Sequence, residues 1–198
     1  MKTIILGMGN TLLRDDGIGI IVKRYLEEKI TTDCIPDSSI LSFAETSWGG
    51  FGIIDILKDY DYAIVIDSIK HTGEKKASVG HIHHFQAGDL LHTLRLNSYH
   101  DINFITAIKI ADSMGYKIPN TINILAVEIE NNYTICENLT DIIRKAVGEC
   151  SKKVIELLVK KNVLDGTKIN YENFETVVEN ETLKKYYQLD FQPVEYSI

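Results

Sequence analysis

Apolar and polar positions alternate along this chain in two registers, short continuous runs and longer helical stripes. Residues 3–6 form a brief apolar run stopped by Gly7 and Gly9, the pattern of a buried strand that enters a turn at Asn10. From 17 to 30, Ile18, Ile21, Val22, Tyr25 and Leu26 recur at helical spacing, with Lys23, Arg24, Glu27 and Glu28 on the other face. Residues 39–44 read as a second strand, Gly49-Gly50 opens a helical stretch through Leu57, and residues 63–66 give a third strand buried on both faces. This βαβαβ order predicts a mainly parallel sheet covered by helices, with its ligand crevice beyond the carboxyl ends of the strands.

The second half continues the pattern with one change of direction. A turn at 73–76 leads to a strand over 77–85, antiparallel to its neighbour because the connection is too short for a helical crossover. After a polar loop through His100, Phe104, Ile105, Ile108 and Ala111 mark a helix that Gly115 and Pro119 close, followed by a strand over 121–127. Leu139, Ile143, Val147, Cys150, Val154 and Leu158 belong to the longest helical stripe, with Asn138 or Thr140 as N-cap. The expected fold class is α/β: three layers, a twisted mixed, mainly parallel sheet flanked by helices. Residues 1–162 form this domain. Residues 163–198 form a C-terminal extension without a clear period, whose aromatics Tyr171, Phe174, Tyr186, Tyr187, Phe191 and Tyr196 predict packing against the body or a partner.

Composition narrows the function. At 198 residues the chain is long enough to bury a core without metal or disulfide staples. A formal charge of −7 argues against nucleic acid as a partner. No apolar run approaches the length of a membrane span, and the N-terminus has no signal-peptide pattern. Three cysteines, Cys34, Cys136 and Cys150, without a C-x-x-C suit reduced thiols and a cytoplasmic location.

Chemistry concentrates where the first strand meets its helix. The segment from Gly7 to Gly19 occupies the place of a dinucleotide fingerprint, but Leu12 stands where the third glycine would fall. Asp15 and Asp16 also place negative charge where a pyrophosphate would approach. The plain alternative is that Asp15 caps the helix that follows it. Asp67 ends the run 63–66 at the carboxyl edge of a central strand, the same edge onto which the loop around Asp16 opens if the two strands are parallel. With His100, these residues would supply two oxygens and one nitrogen, a set that suits zinc or nickel and leaves coordination positions open. His71, His81, His83, His84 and His92 offer a rival cluster, with His81 and His83 on one strand face but no acidic or cysteine ligand at a recognised spacing. No nucleophile elbow or cysteine signature points to covalent hydrolase chemistry.

Taken together, Gly7-x-Gly9-Asn10-x-Leu12-x-x-Asp15-Asp16-Gly17-x-Gly19, Asp67 after Ile64-Val65-Ile66, and His100-Asp101 heading a helix resemble the hydrogenase maturation endopeptidases. Val127-Glu128-Ile129 and the stretch from Cys136 to Thr140 are similar too, so the likeness spans residues 1–160. The resemblance implies an endopeptidase that removes a C-terminal peptide from the precursor of a nickel-iron hydrogenase large subunit after nickel insertion. Asp16, Asp67 and His100 are then the catalytic and metal-contacting residues, and the nickel is supplied by the substrate. Ala44-Glu45-Thr46-Ser47 departs from the Asp-Gly-Gly-Thr type of segment found in many members. The competing function is a non-catalytic nickel-handling accessory protein that uses the 71–92 histidines.

Overall fold

A computed structural model describes residues 1–47, 50–71, 78–87, 99–171, 174 and 180–187, of which 99–103, 105, 180 and 181 are described by backbone alone. Five strands, β1 (Lys2–Met8), β2 (Ile40–Thr46), β3 (Tyr62–Lys70), β4 (Ile82–Gln86) and β5 (Thr121–Ile129), form one sheet in the order β2-β1-β3-β5-β4. The first three and β5 are mutually parallel, and β4 runs antiparallel to β5. The chain leaves β1 for β2 on one side and returns to β3 on the other. The strand order therefore reverses at β1, which makes the carboxyl edge between β1 and β3 the crevice of the sheet.

Helices cover both faces. On one lie α1 (Ile18–Lys29) and α4 (Asp141–Lys160), whose Ile21, Leu26, Ile143, Val147 and Val154 pack with Ile64 and Ile66 of β3. On the other lie α2 (Gly52–Leu57) and α3 (Tyr99–Ser113), whose Ile53, Leu57, Phe104 and Ile108 meet Ala63 and Val65. Successive β3 residues thus alternate between two cores, as expected of a strand buried on both sides. Among the described residues, no helix is long and apolar enough to cross a membrane.

The glycines of the first motif explain how closely α1 approaches the sheet. A Cβ on Gly19 would stand 2.3 Å from the carbonyl oxygens of both Met8 and Ile66, so only a hydrogen there lets the helix start over the β1–β3 edge. Gly9, at φ +132°, turns the chain where a side chain would strike the Asp16 carbonyl.

Three expectations change. β4 begins at Ile82, whereas Val79 and Gly80 lie in a turn, so the strand predicted over 77–85 is shorter. Helix α3 starts at Tyr99, which places His100 in its first turn and not in a preceding loop. The extension also contains a helix, α5 (Asn180–Tyr187), whose buried Leu183, Tyr186 and Tyr187 hold helical spacing for too few turns to register as a period. Val163, Leu164, Phe174, Leu183, Tyr186 and Tyr187 join the α1–α4 core, and Phe174 and Tyr186 both meet the Tyr25 ring edge-on at 6.4 and 6.1 Å. Residues 73–76, His92, Phe191 and Tyr196 lie outside the described residues.

Candidate active site

The loop after β1 is folded around Asn10, whose side-chain Oδ1 accepts a hydrogen bond from the Leu12 amide at 3.0 Å. It passes through a short 3-10 turn (Arg14–Gly17) directly into α1. Within that turn the two adjacent carboxylates take different directions. Asp16, 8% exposed, accepts the Asn10 N–H on Oδ2 at 2.9 Å and the Ser68 hydroxyl on Oδ1 at 2.8 Å. Asp67, partly exposed, accepts the Ser68 N–H on its Oδ1 at 2.8 Å. One serine therefore holds both carboxylates, its side chain fixing Asp16 and its amide fixing Asp67. Ser68 thereby links these two predicted residues at the carboxyl edge where the strand order reverses.

Strand alternation gives each a side. Ser68 continues the row of Ile64 and Ile66 toward α1, while Asp67 continues the row of Ala63 and Val65 toward α3. Helix α3 begins at the residue before His100, so the backbone of the third predicted residue belongs to the helix on the Asp67 side. The His100 side chain lies outside the described residues.

Asp15 departs from the capping role that its position suggested. It is 1% exposed and accepts the Thr140 N–H at 2.7 Å and the Thr140 hydroxyl at 3.0 Å, while α1 has no side-chain cap. Its carboxylate serves the N-terminus of α4 instead, where Thr140 occupies the N-cap without a cap bond from its own side chain. Burial raises the Asp15 pKa above the carboxylate value despite those bonds. The same loop is clasped by the 131–136 segment: Arg14 N–H donates to Cys136 O at 2.9 Å, and Cys136 N–H donates to Leu12 O at 3.0 Å. Arg14 adopts φ 51° to make this bridge.

Beside the motif lies a groove of about 420 Å³ between residues 9–12, Ile20 and Arg24 of α1, and residues 45–47 at the end of β2. Its charged wall is Glu45, bound by Arg24 through two bonds of 2.9 and 2.5 Å and by Lys23 at 2.9 Å. Burial alone would raise the Glu45 pKa, but the Arg24 and Lys23 bonds hold it below the usual carboxylate range. Arg24 also donates to the Tyr186 carbonyl at 2.7 Å, so the extension reaches the groove through this residue. Sequence reasoning did not find Ser68, Thr140 as the partner of Asp15, or the Arg24–Glu45 pair. Only the Ser beside Asp67 carried a local hint.

The histidine group is likewise resolved by a partner distant in sequence. Glu128 of β5 accepts from Ser78 Oγ at 3.0 Å, is bonded to His71 Nδ1, and pairs with His83 Nε2 at 3.0 Å. His84 turns to the opposite face, where its Nε2 meets Asn123 Oδ1 at 2.7 Å. The acidic group absent from the local spacing is thus supplied by the neighbouring strand. Burial would raise the Glu128 pKa, yet these hydrogen bonds bring it below the usual range. Among the described residues, no three His, Cys, Asp or Glu side chains are set to hold a metal ion on their own. The three cysteines form no disulfide, and burial pushes the Cys150 thiol up to about 12, far from a reactive thiolate.

Fold and site together define an α/β protein with an acid-bearing edge where its strand order reverses. Set against solved structures, this is the fold of the hydrogenase maturation endopeptidases. The chain is 20% identical to the hydrogenase maturating endopeptidase HybD from E. coli, with a TM-score of 0.65 over 85% of this chain and 100% of that one. An endopeptidase from Escherichia coli known from a solution structure gives 18% identity and a TM-score of 0.66 over the same shares. The nickel-iron hydrogenase maturation protease HybD from Thermococcus kodakarensis gives 20% and 0.59 over 79% of this chain and 99% of that one. No family model matches the sequence. No curated protein matches it either.

Proposed function

We propose that this chain is an endopeptidase that removes the C-terminal peptide from the nickel-loaded precursor of a nickel-iron hydrogenase large subunit, acting in the cytoplasm. The observation that carries the reading is the Asp16–Ser68–Asp67 arrangement at the reversal of strand order, in a fold shared with proteins named for that activity. Carboxylate oxygens and an imidazole are weak, exchangeable donors for nickel, so they suit an ion already held by another protein better than a resident one. Asp16, Asp67 and His100 are the residues assigned to contact that ion. Nickel belongs to the substrate here, and once presented it would polarise a nearby carbonyl or water.

The residues of this chain define what they contribute. Ser68 keeps Asp16 in place from one side and Asn10 from the other, so Asp16 is oriented before substrate arrives. Partly exposed Asp67 is the more accessible carboxylate and is assigned first contact. Mixing nickel-loaded precursor with Asp16→Asn, Asp67→Asn or His100→Ala and following the products by mass spectrometry tests the reading. Loss of peptide release in each folded variant is expected. Normal release by all three removes the assignment.

The nickel-handling alternative is favoured by one observation, the gathering of His71 and His83 on Glu128. Equilibrium dialysis separates the two: tight nickel retention lost on changing His81 and His83 but unaffected by Asp16→Asn supports that alternative, and weak binding that depends on Asp16 supports the protease.

A further inference from the structure

Asp67 and His83 stand in one row of the sheet. In the parallel ladder Asp67 pairs with Ala126, and in the antiparallel ladder His83 pairs with the same Ala126. Paired residues share a face, and the row above confirms which one, since Val65, Ile124 and Phe85 all pack in the α2–α3 core. The two side chains therefore flank a methyl group, two strand spacings apart, or about 10 Å between Cα atoms at ~4.8 Å per strand. A carboxylate, an imidazole and an ion at ~2.1 Å from each donor fit that span.

His83 is prepared for this role. Its Nε2 is paired with Glu128 Oε2 at 3.0 Å, and no described residue bonds to its Nδ1. With Nε2 donating to the Glu128 carboxylate, the other ring nitrogen, Nδ1, presents a lone pair. The ring plane is fixed by stacking on Phe85 at 5.9 Å and 5°, and by the edge-on ring of His81 at 4.7 Å. Glu128 is itself immobilised on its other oxygen by His71 and Ser78. A carboxylate holding the far nitrogen of an imidazole is the arrangement that orients histidine toward a metal. The His83 side chain keeps 34% of its surface exposed, so a substrate-borne ion can reach it.

We propose that His83 is a further metal-contacting residue of this site, its Nδ1 joining the Asp67 carboxylate in contacting the ion carried by the substrate, with Glu128 as the positioning residue. This deepens the proposed function and rests on it.

The test uses the full chain and nickel(II) alone. Isothermal titration of wild type, Asp67→Asn, His83→Gln, Glu128→Gln and His84→Gln is expected to show nickel affinity falling at least ~10-fold in the first three variants and unchanged in His84→Gln, whose ring lies on the opposite face. Long-range proton–nitrogen NMR of wild type is expected to show His83 protonated on Nε2 and its Nδ1 signal broadened first by nickel. The NMR measurement stands even if a variant fails to fold. Wild-type nickel affinity in His83→Gln with a loss in Asp67→Asn, or an unaffected His83 resonance, overturns the inference and leaves the protease reading intact. Nickel binding that depends on His83 but not Asp67 also overturns it, because His83 then serves a separate site. Normal precursor processing by Asp16→Asn, Asp67→Asn and His100→Ala alike removes the protease reading on which it rests.

Discussion

Asp15 and Thr140 lie 125 residues apart and share two hydrogen bonds, from the Thr140 amide and from its hydroxyl to the two carboxylate oxygens. The motif loop is thereby bolted to the start of α4, and the neighbouring Asp16 is left to face Ser68. Replacing Asp15 with Ala should destabilise the fold by about 2 kcal/mol, because two half-buried donors on Thr140 lose a charged acceptor. Asp15→Asn retains an acceptor for the amide and a donor for the hydroxyl oxygen, and should recover most of that loss. Urea unfolding of the pair decides it; equal loss in both variants would mean that charge, not bonding geometry, holds the clasp.

Gly19 makes a sharper steric prediction. Gly19→Ala places a methyl 2.3 Å from two backbone oxygens, neither of which can rotate away, and should cost more than ~3 kcal/mol or prevent folding. Gly52 has nothing within 4 Å of its would-be Cβ, so Gly52→Ala should stay within about 1 kcal/mol of the parent. Thermal melts followed by circular dichroism would show the contrast, and similar melting temperatures for the two variants would contradict the close approach of α1 to the sheet.

The Arg24–Glu45 pair predicts a pH dependence. Because the folded pKa of Glu45 lies below its unfolded value, its stabilising contribution is present above the unfolded pKa and is lost as pH falls through the folded one. Glu45 keeps 33% of its side-chain surface exposed, so solvent screening limits the effect to about 1 kcal/mol. Glu45→Gln should therefore be less stable than wild type at pH 7, with the gap closing as the solution is acidified below the ordinary glutamate range. A gap that stays constant down to pH 2 would show that the pair contributes nothing through charge.

The extension should behave as part of the core. Leu183 is fully buried against the α1–α4 cluster, and Leu183→Ala should lower stability by about 3 kcal/mol. It should do so in a single cooperative transition shared with the sheet. Hydrogen exchange in which 180–187 opens far below the global unfolding energy, with the rest protected as in wild type, would mark the helix as separately docked.

The alternation of apolar runs and stripes by itself determined the βαβαβ opening, the parallel sheet and the long helix α4, because each of these follows from local periodicity of burial. It also placed Asp16 and Asp67 at one edge, although Asp67 does not end its strand: β3 runs on to Lys70 beside β5, and it is the β1–β3 pairing that stops at Gly7–Ile66, directly before Asp67. Tertiary structure alone decided which groups those carboxylates meet. Asp15 found Thr140, the histidines found Glu128, Glu45 found Arg24 and Arg24 found Tyr186, all across strand pairings or helix contacts that no local spacing encodes. Burial is written in sequence as a period of two or 3.6, whereas a hydrogen bond between distant segments depends on register and helix placement, which exist only once the sheet is assembled.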